Sequence, residues 1–516
     1  MILELLDALK KEQREREGLQ QRLDQLLRRL FGPKAERFDP HQPWLLSELA
    51  SANAAPNEAA PAPPTDTDAP AAKPKRPGHG RKPLPADLPR RRIEHTLPEA
   101  ERVCPDCGEV RRKFGEDISE QLDYQPASLF VLQHVRFKYA CPQCHDHVTA
   151  APVPAAVIDK GLPGPGLLAQ IVASKYADHL PLHRLERILG RHGIALSRST
   201  MCGWMAHVAS MLRPVVDLMA DLTRQSKTIH TDATKMPYLD PELAPGRTLS
   251  GQMWTYVGDR DHAFDVFDFC RDHSAAGIDA FLKDTSYRGY LNADAHNIYD
   301  HLFRAGGMTE LGCWVHCRRH FYEAQDSDPA RAHLVVARIR QLYQAEDEAK
   351  ELIAGQELAG AGAGADAVRL RLRHEHARPV VTALGQWLRD EQGKVLPKSP
   401  IGQAIAYALR HWPALTRYLD DGFLAIDNNV AERTLRHIAI GRKNWLFAGS
   451  SAGAQTAATL FSVTSTCHRH GVDAFAYLRD LLERLAHDPQ PSPEVLREWL
   501  PDRWRSPPPP PASANA

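Results

Sequence analysis

The spacing of apolar positions changes character several times along the chain, and each change marks an element. At the start, Ile2, Leu5, Leu9, Leu19, Leu23, Leu26 and Leu30 follow intervals of three and four, with Glu12 and Arg16 filling the middle of the seam. That is a helix with one apolar stripe, a short coiled-coil pattern with one polar heptad. Self-association would cover the stripe, since no other apolar segment lies nearby; packing on its own chain is the alternative. Gly32-Pro33 stops the helix. Residues 1–45 make this first unit.

Residues 50–77 are rich in Ala and Pro, with Asn, Asp and Thr, which predicts a disordered linker inside a unit spanning 46–90. Alternation of period two then appears in SLFVLQHVRFKYAC and predicts strands within a unit over 91–158. Helical spacing returns at 163–215, broken at Leu180-Pro181 and again at Gly193. Ser197 or Ser199 is placed to cap a helix that starts near Thr200. Residues 159–220 therefore have a helix-turn-helix-like order, with Arg198 and Trp204 as candidates for DNA contact, although plain helical bundles share the pattern.

From residue 226 the period is two again. KTIHTDATKMPYL, GQMWTYVGD and AFDVFDFC read as three strands, 274–283 as a short helix, RGYLNADA as a fourth strand, and LGCWVH as a fifth running into a helix at CRRHFYEA. Three strands, helix, strand, helix is the order of a ribonuclease-H-like α/β core. The expected fold is thus multidomain α/β. Its core is split into 221–325 and 426–485 by a helical insertion over 326–425, and 486–516 is a tail ending in PPPPPASANA. DNNVAERTLRHIAI begins a late helix, with Asp427 or Asn428 at its N-cap.

Composition narrows the function classes. The chain of 516 residues is 43% apolar, enough for several cores, and Lys+Arg equals Asp+Glu at 64 each. It is not a polycation, so any nucleic-acid surface is a local patch. One such patch is Lys73, Lys75, Arg76, Arg81, Lys82, Arg90, Arg91 and Arg92. Standing ahead of the strand segments of the unit over 91–158, which reads as a zinc ribbon, it is expected to touch phosphates. No apolar run reaches the ~18 residues of a membrane span. The absence of a secretory start and the scattered free cysteines point to a reducing, bacterial-type cytoplasm.

Two constellations carry chemistry. Cys104-x-x-Cys107 and Cys141-x-x-Cys144 form two knuckles, the donor set of a tetrahedral structural zinc site; a disulfide pairing is the alternative. Asp232 interrupts an apolar strand, where a carboxylate is costly unless something pairs it. Asp294 ends the fourth strand, which neighbours the first in this order, and Glu432 lies on the first turn of the late helix. Three carboxylates of this kind suit Mg²⁺ or Mn²⁺. Taken singly, each acid has a bland reading: a strand-end turn, a cap, and a surface ion pair of Glu432 with Arg436. Cys313, His316, Cys317 and His320 share one helix face, but four ligands on one helix cannot easily surround an ion tetrahedrally.

Several long segments together resemble the large transposase subunit of the insertion sequence 66 family. They are RLFGPKAER, HGRKPLPADLPR, CPDCG, CPQC, HTDATK, YLNADAHNIYD, GCWVHCRRHF, IDNNVAERTLRHIAIGRKNWLFAGS and GVDAFAYLRDLLERL, in order from about residue 26 to 485. The resemblance implies an Asp-Asp-Glu triad at Asp232, Asp294 and Glu432 on a ribonuclease-H-like fold. It also implies two-metal cleavage of transposon ends and 3′-hydroxyl strand transfer into target DNA. His316, Arg318 and Arg319, and around Glu432 the residues Arg433, Arg442, Lys443 and Trp445, are then expected at DNA. Implied partners are double-stranded terminal inverted repeats and target DNA, a second copy of the chain, and small accessory proteins. Where the family usually reads Asp-Glu-Thr and Asp-Gly-Tyr, this chain has Asp232-Ala233-Thr234 and Asp294-Ala295-His296. A decayed, DNA-binding repressor and a nuclease without strand transfer are the rival readings.

Overall fold

The computed structural model describes residues 84, 86 and 88–506, except 104–108, 126–127, 141–147, 241–246, 273, 284–286, 305–306 and 359–363. The leucine seam, most of the linker and the four knuckle cysteines lie outside the described residues.

The first sheet contains β1 (Arg90–His95), β2 (Arg112–Gln125), β3 (Ser128–Ala140) and β4 (Thr149–Ala150). Its order is β1-β3-β2, with β4 also beside β3, and only β1 runs parallel to β3. Strand alternation buries Val135, Phe137 and Tyr139 with Leu97 in a small core of their own. Leu122, Leu129 and Val131 reach the main core instead. Arg112 stands opposite Ala140, so the residues just after the first cysteine pair and just before the second meet at one end of this hairpin.

The helical stretch breaks where its sequence does. It forms α1 (Pro165–Tyr176), α2 (Leu182–Arg191) and α3 (Arg198–Thr223). Ser197 caps α3 by accepting from Thr200 N at 3.1 Å, and Gly193 takes the left-handed conformation at φ +76° that a side chain would disfavour. Leu185, Leu189, Met201, Met205, Val208 and Leu212 are buried in the same core as the second sheet.

That second sheet has β5 (Thr228–Leu239), β6 (Thr248–Val257), β7 (Asp265–Cys270), β8 (Tyr290–Asn292) and β9 (Thr309–Leu311), in the order β7-β6-β5-β8-β9. The first three strands are antiparallel, and β8 and β9 continue parallel to β5. The fifth strand ends at Leu311, the first residue of LGCWVH, rather than running through it: α4 (Trp314–Ala324) already contains Trp314, Val315 and His316. Gly312 explains the early end. Its N–H donates to Ala414 O at 3.0 Å, and a Cβ there would meet Leu415 N at 2.8 Å.

Further helices are α5 (Pro329–Leu358), α6 (Ala365–Leu372), α7 (Arg378–Gln392), α8 (Pro400–Arg410), α9 (Asn429–Trp445), α10 (Ser451–Arg469), α11 (Ala474–His487) and α12 (Pro493–Trp499). Helix α10 seals the open edge of β7. Ser462 Oγ accepts from Phe267 N at 2.8 Å, Thr466 Oγ1 accepts from Asp265 N at 3.1 Å, and Gln455 Nε2 donates to Phe269 O at 2.7 Å. An otherwise unpaired strand edge is thereby covered.

Two compact units divide the chain. One comprises Leu84–Arg319, Ala337–Gln386 and Tyr407–Ala516 and holds both sheets. In the other, the described segments are His320–Val336 and Trp387–Ala406, where Arg331 pairs with Asp328 at 2.9 Å and with Glu391 at 2.7 Å.

Candidate active site

Strand register brings the first two acids together. His230 on β5 pairs with Asn292 on β8 in parallel, and Asp232 and Asp294 each lie two residues further on. Asp294 therefore stands just past the end of β8, beside Asp232 within the longer strand β5. The third acid comes from α9, whose N-terminus is fastened to that end by Asn428, a fully buried residue. Asn428 Nδ2 donates to Thr231 O at 2.8 Å, its Oδ1 meets His230 Nδ1 at 3.2 Å, and its peptide N donates to Cys313 Sγ at 3.2 Å. Asn292 Nδ2 adds a bond to Asp427 O at 2.9 Å. Glu432, in the first turn of α9, is thus held beside β5 and β8.

The three acids feel one another. Burial first, then the charges of Asp294 and Glu432, push the Asp232 carboxyl up to about 7, against the Ala233 N–H and the Arg319 guanidinium. Burial also raises Glu432, with Asp427 and Asp294 adding to it and Arg319 and Arg436 opposing. Glu432 Oε1 is buried without a hydrogen-bond partner, and His316 Nε2 stands 3.5 Å from it. Hard oxygens with an unpartnered acceptor among them fit a divalent cation. Among the described residues, however, no three His, Cys, Asp or Glu side chains already form a metal cage.

The raised Asp232 has a consequence for stability. Unfolded, an Asp titrates near ~4; folded, this one titrates at about 7. Between those values the native state holds a proton that the unfolded state has lost, so stability falls as pH rises through the window. The melting temperature of Asp232→Asn relative to the unaltered protein is expected to climb from about pH 5 to about pH 8, followed by calorimetry, and added Mn²⁺ is expected to narrow the gap.

Ala295, directly after Asp294, has φ +59°. This is the position where the resembling motif usually carries glycine, and an L side chain there costs roughly 1 kcal/mol. Asp294 Oδ1 accepts from His296 N at 3.0 Å across the turn, and His296 Nδ1 accepts from Ile298 N at 3.2 Å. Ala295→Gly is expected to stabilise the protein by about 1 kcal/mol in denaturant unfolding, without altering the turn.

The neighbouring acid Asp427 is committed elsewhere. It accepts from Asn429 N at 3.0 Å, from Asn429 Nδ2 at 2.9 Å and from Tyr343 Oη at 3.0 Å, one residue ahead of Asn428, the N-cap of α9. The thiols of Cys313 and Cys317 are buried and pushed up, Cys313 to about 12, and so are held protonated.

The other sequence-predicted residues are dispersed. Arg319 and Arg433 are exposed, at the end of α4 within the sheet-bearing unit and on α9; Arg318 is half-buried. Arg442 donates to Lys235 O beside a recess of about 940 Å³ that runs along β5 and β6 from Ala233. Lys443 is exposed. Trp445 is half-buried against Tyr176 and Phe461, with Lys175 Nζ 4.2 Å from its ring. On β1, Arg90 pairs with Glu120 at 3.1 Å, Arg92 with Glu94 at 3.0 Å and Glu116 at 2.9 Å, and Arg91 lies 4.3 Å over Phe130.

Sequence reasoning passed over His230 and the clamping role of Asn428. The available signal was a histidine inside an apolar strand and a doubled Asn before the late helix. It also passed over Arg373, only 1% exposed, which grips Glu346 through two bonds of 2.6 and 3.0 Å.

Comparison with known proteins agrees with this architecture. The model of the Transposase IS66 family matches residues 160–456. The zinc-finger binding domain of transposase IS66 matches 101–145, and the Transposase C of IS166 homeodomain matches 18–93. The chain belongs to the IS66 family of transposases. Among relatives in Sinorhizobium fredii, Uncharacterized protein y4qI is 35% identical over 442 residues, covering 83% of this chain and 78% of the relative. Uncharacterized protein y4jD is 31% identical over 434 residues, 82% of each. No described helix is long and apolar enough to cross a membrane.

Proposed function

We propose that this protein cuts transposon ends and joins them to target DNA, using Asp232, Asp294 and Glu432 on a ribonuclease-H-like core. One observation carries the reading: three acids far apart in sequence converge where β8 ends beside β5, close enough that Asp232 senses both others. The strand order, with three antiparallel strands followed by two parallel ones, supports the fold assignment.

The three carboxylates would hold Mg²⁺ or Mn²⁺, which activates the attacking oxygen and neutralises the leaving one. His316 orients Glu432, and Arg319 offsets negative charge as a phosphate enters. Lys235 and Arg442 line the adjoining recess, where a DNA strand fits. Water attacks the end phosphorus and the bond to the transposon 3′ oxygen breaks. That freed hydroxyl then attacks a target phosphodiester, forming a new bond to phosphorus as the target's own 3′ oxygen leaves.

Zinc held by Cys104, Cys107, Cys141 and Cys144 would lock the end of the hairpin where Arg112 meets Ala140. Arg90, Arg91 and Arg92 exchange surface carboxylates for phosphates at little cost. Lys443 adds charge, and Trp445 offers a ring edge for a base. A homo-oligomer paired through the N-terminal seam, small accessory proteins and the bacterial cytoplasm complete the proposal.

A second reading, DNA binding without chemistry, draws on Ala233 and Ala295, which stand where the family's motifs usually carry Glu and Gly. A labelled inverted-repeat end incubated with protein and Mg²⁺ or Mn²⁺ separates the two. Cleavage and joining support the first; specific binding without either, even with accessory proteins added, supports the second.

A further inference from the structure

We propose that a second cavity, beside the triad but distinct from it, is a phosphate-binding subsite. It encloses about 380 Å³ and is lined by Thr228 and His230 of β5, Val430 and Arg433 of α9, and Arg469 of α10. The volume lies within the range of small-ligand pockets.

Its lining is rich in guanidinium groups. Five arginines line it against three acids, Asp259, Glu346 and Asp427. Four of those arginines already have a carboxylate partner: Arg373 has Glu346, Arg260 and Arg369 share Asp366, and Arg469 has Asp265 at 3.0 Å. Arg433 has no ion pair or hydrogen bond among the described residues and is exposed.

A second orphan is independent of the first. Thr228 is 2% exposed, lines the same cavity, and its Oγ1 has no hydrogen-bond partner. A buried hydroxyl without a partner is costly and calls for one. Val430, in the first turn of the 17-residue helix α9, adds the positive end of a helix dipole. A guanidinium, a hydroxyl and a helix start lining one cavity suit a tetrahedral oxyanion.

Position suggests which one. Thr228 and Asp232 lie on the same face of β5, four residues and so ~13 Å apart. That spans roughly four nucleotide steps of helical rise. Resting on the transposase reading, the subsite takes a backbone phosphate of the strand seated at the triad; free phosphate shares the chemistry.

The test uses the full-length protein with inorganic phosphate as probe, followed by ³¹P line broadening. Arg433→Gln and the near-isosteric Thr228→Val are each expected to weaken phosphate about tenfold with unchanged circular dichroism. Equal affinity in all three proteins, or no binding by the unaltered one, overturns the subsite. Displacement of phosphate by a pre-cut DNA end identifies the backbone source, and its absence the free anion; both uphold the subsite. Unchanged phosphate affinity in a protein that joins DNA sinks the subsite alone. Variant-sensitive phosphate binding in a protein that never joins DNA sinks the transposase reading alone.

Discussion

Asp232→Asn is expected to reduce DNA-end joining by about 10³-fold or more, while the metal-free protein becomes harder to unfold. The loss follows from removing an oxygen donor of the proposed cation site, where the ion would contribute several kcal/mol to the transition state. The gain follows from the site's own cost. A carboxyl pushed up to about 7 by burial and by two neighbouring acids is a destabilising charge at and above neutral pH. Replacing it with a neutral isostere relieves about 2 kcal/mol, allowing for partial solvent access, or a few degrees in melting temperature. Opposite signs in activity and stability mark a functional acid. An Asp serving as a structural strand-end residue would lose both together.

The second large effect is expected at Asn428, which touches no substrate. Asn428→Ala removes the bonds to Thr231 O and His230 Nδ1 in a fully buried site, leaving two unsatisfied groups. A loss of about 2–4 kcal/mol in denaturant unfolding is expected. The same bonds fix the start of α9 against β5, and so Glu432 against Asp232. A shift of ~1 Å there is expected to lower the joining rate about 10²-fold with little change in end binding. A merely structural residue would lower stability while leaving the rate of the folded fraction intact. Single-turnover joining at saturating protein separates these outcomes.

Much of the sheet was legible in the sequence, because β5, β6 and β7 are rich in β-branched and aromatic residues and are separated by turn residues. Asp294 was legible for a related reason: YLN is a short apolar strand with an acid just beyond it. The fifth strand was misplaced because Cys313, Trp314 and Val315 look like strand residues, yet they are buried at a helix start behind Gly312. Local propensity yields there to a tertiary hydrogen bond from Gly312 to Ala414. The clamp at Asn428 was invisible for the same kind of reason. Its partners Thr231 and His230 lie nearly two hundred positions away, and a side chain's long-range partner leaves no periodic trace. The arginine-lined cavity, assembled from β5, α6, α9 and α10, left none either. Ala295 shows the converse: the strain at φ +59° could be foreseen only from the glycine usual in the resembling motif.

The most direct measurement is joining of a pre-cut inverted-repeat end across a Mn²⁺ titration, run side by side for the unaltered protein and for Asp232→Asn, Asp294→Asn and Glu432→Gln. Metal-dependent joining by the unaltered protein, lost in all three variants while each still binds the end, is the expected result. Joining that persists in any one of the variants at comparable rate, or that proceeds without metal, contradicts a single site built from these three acids.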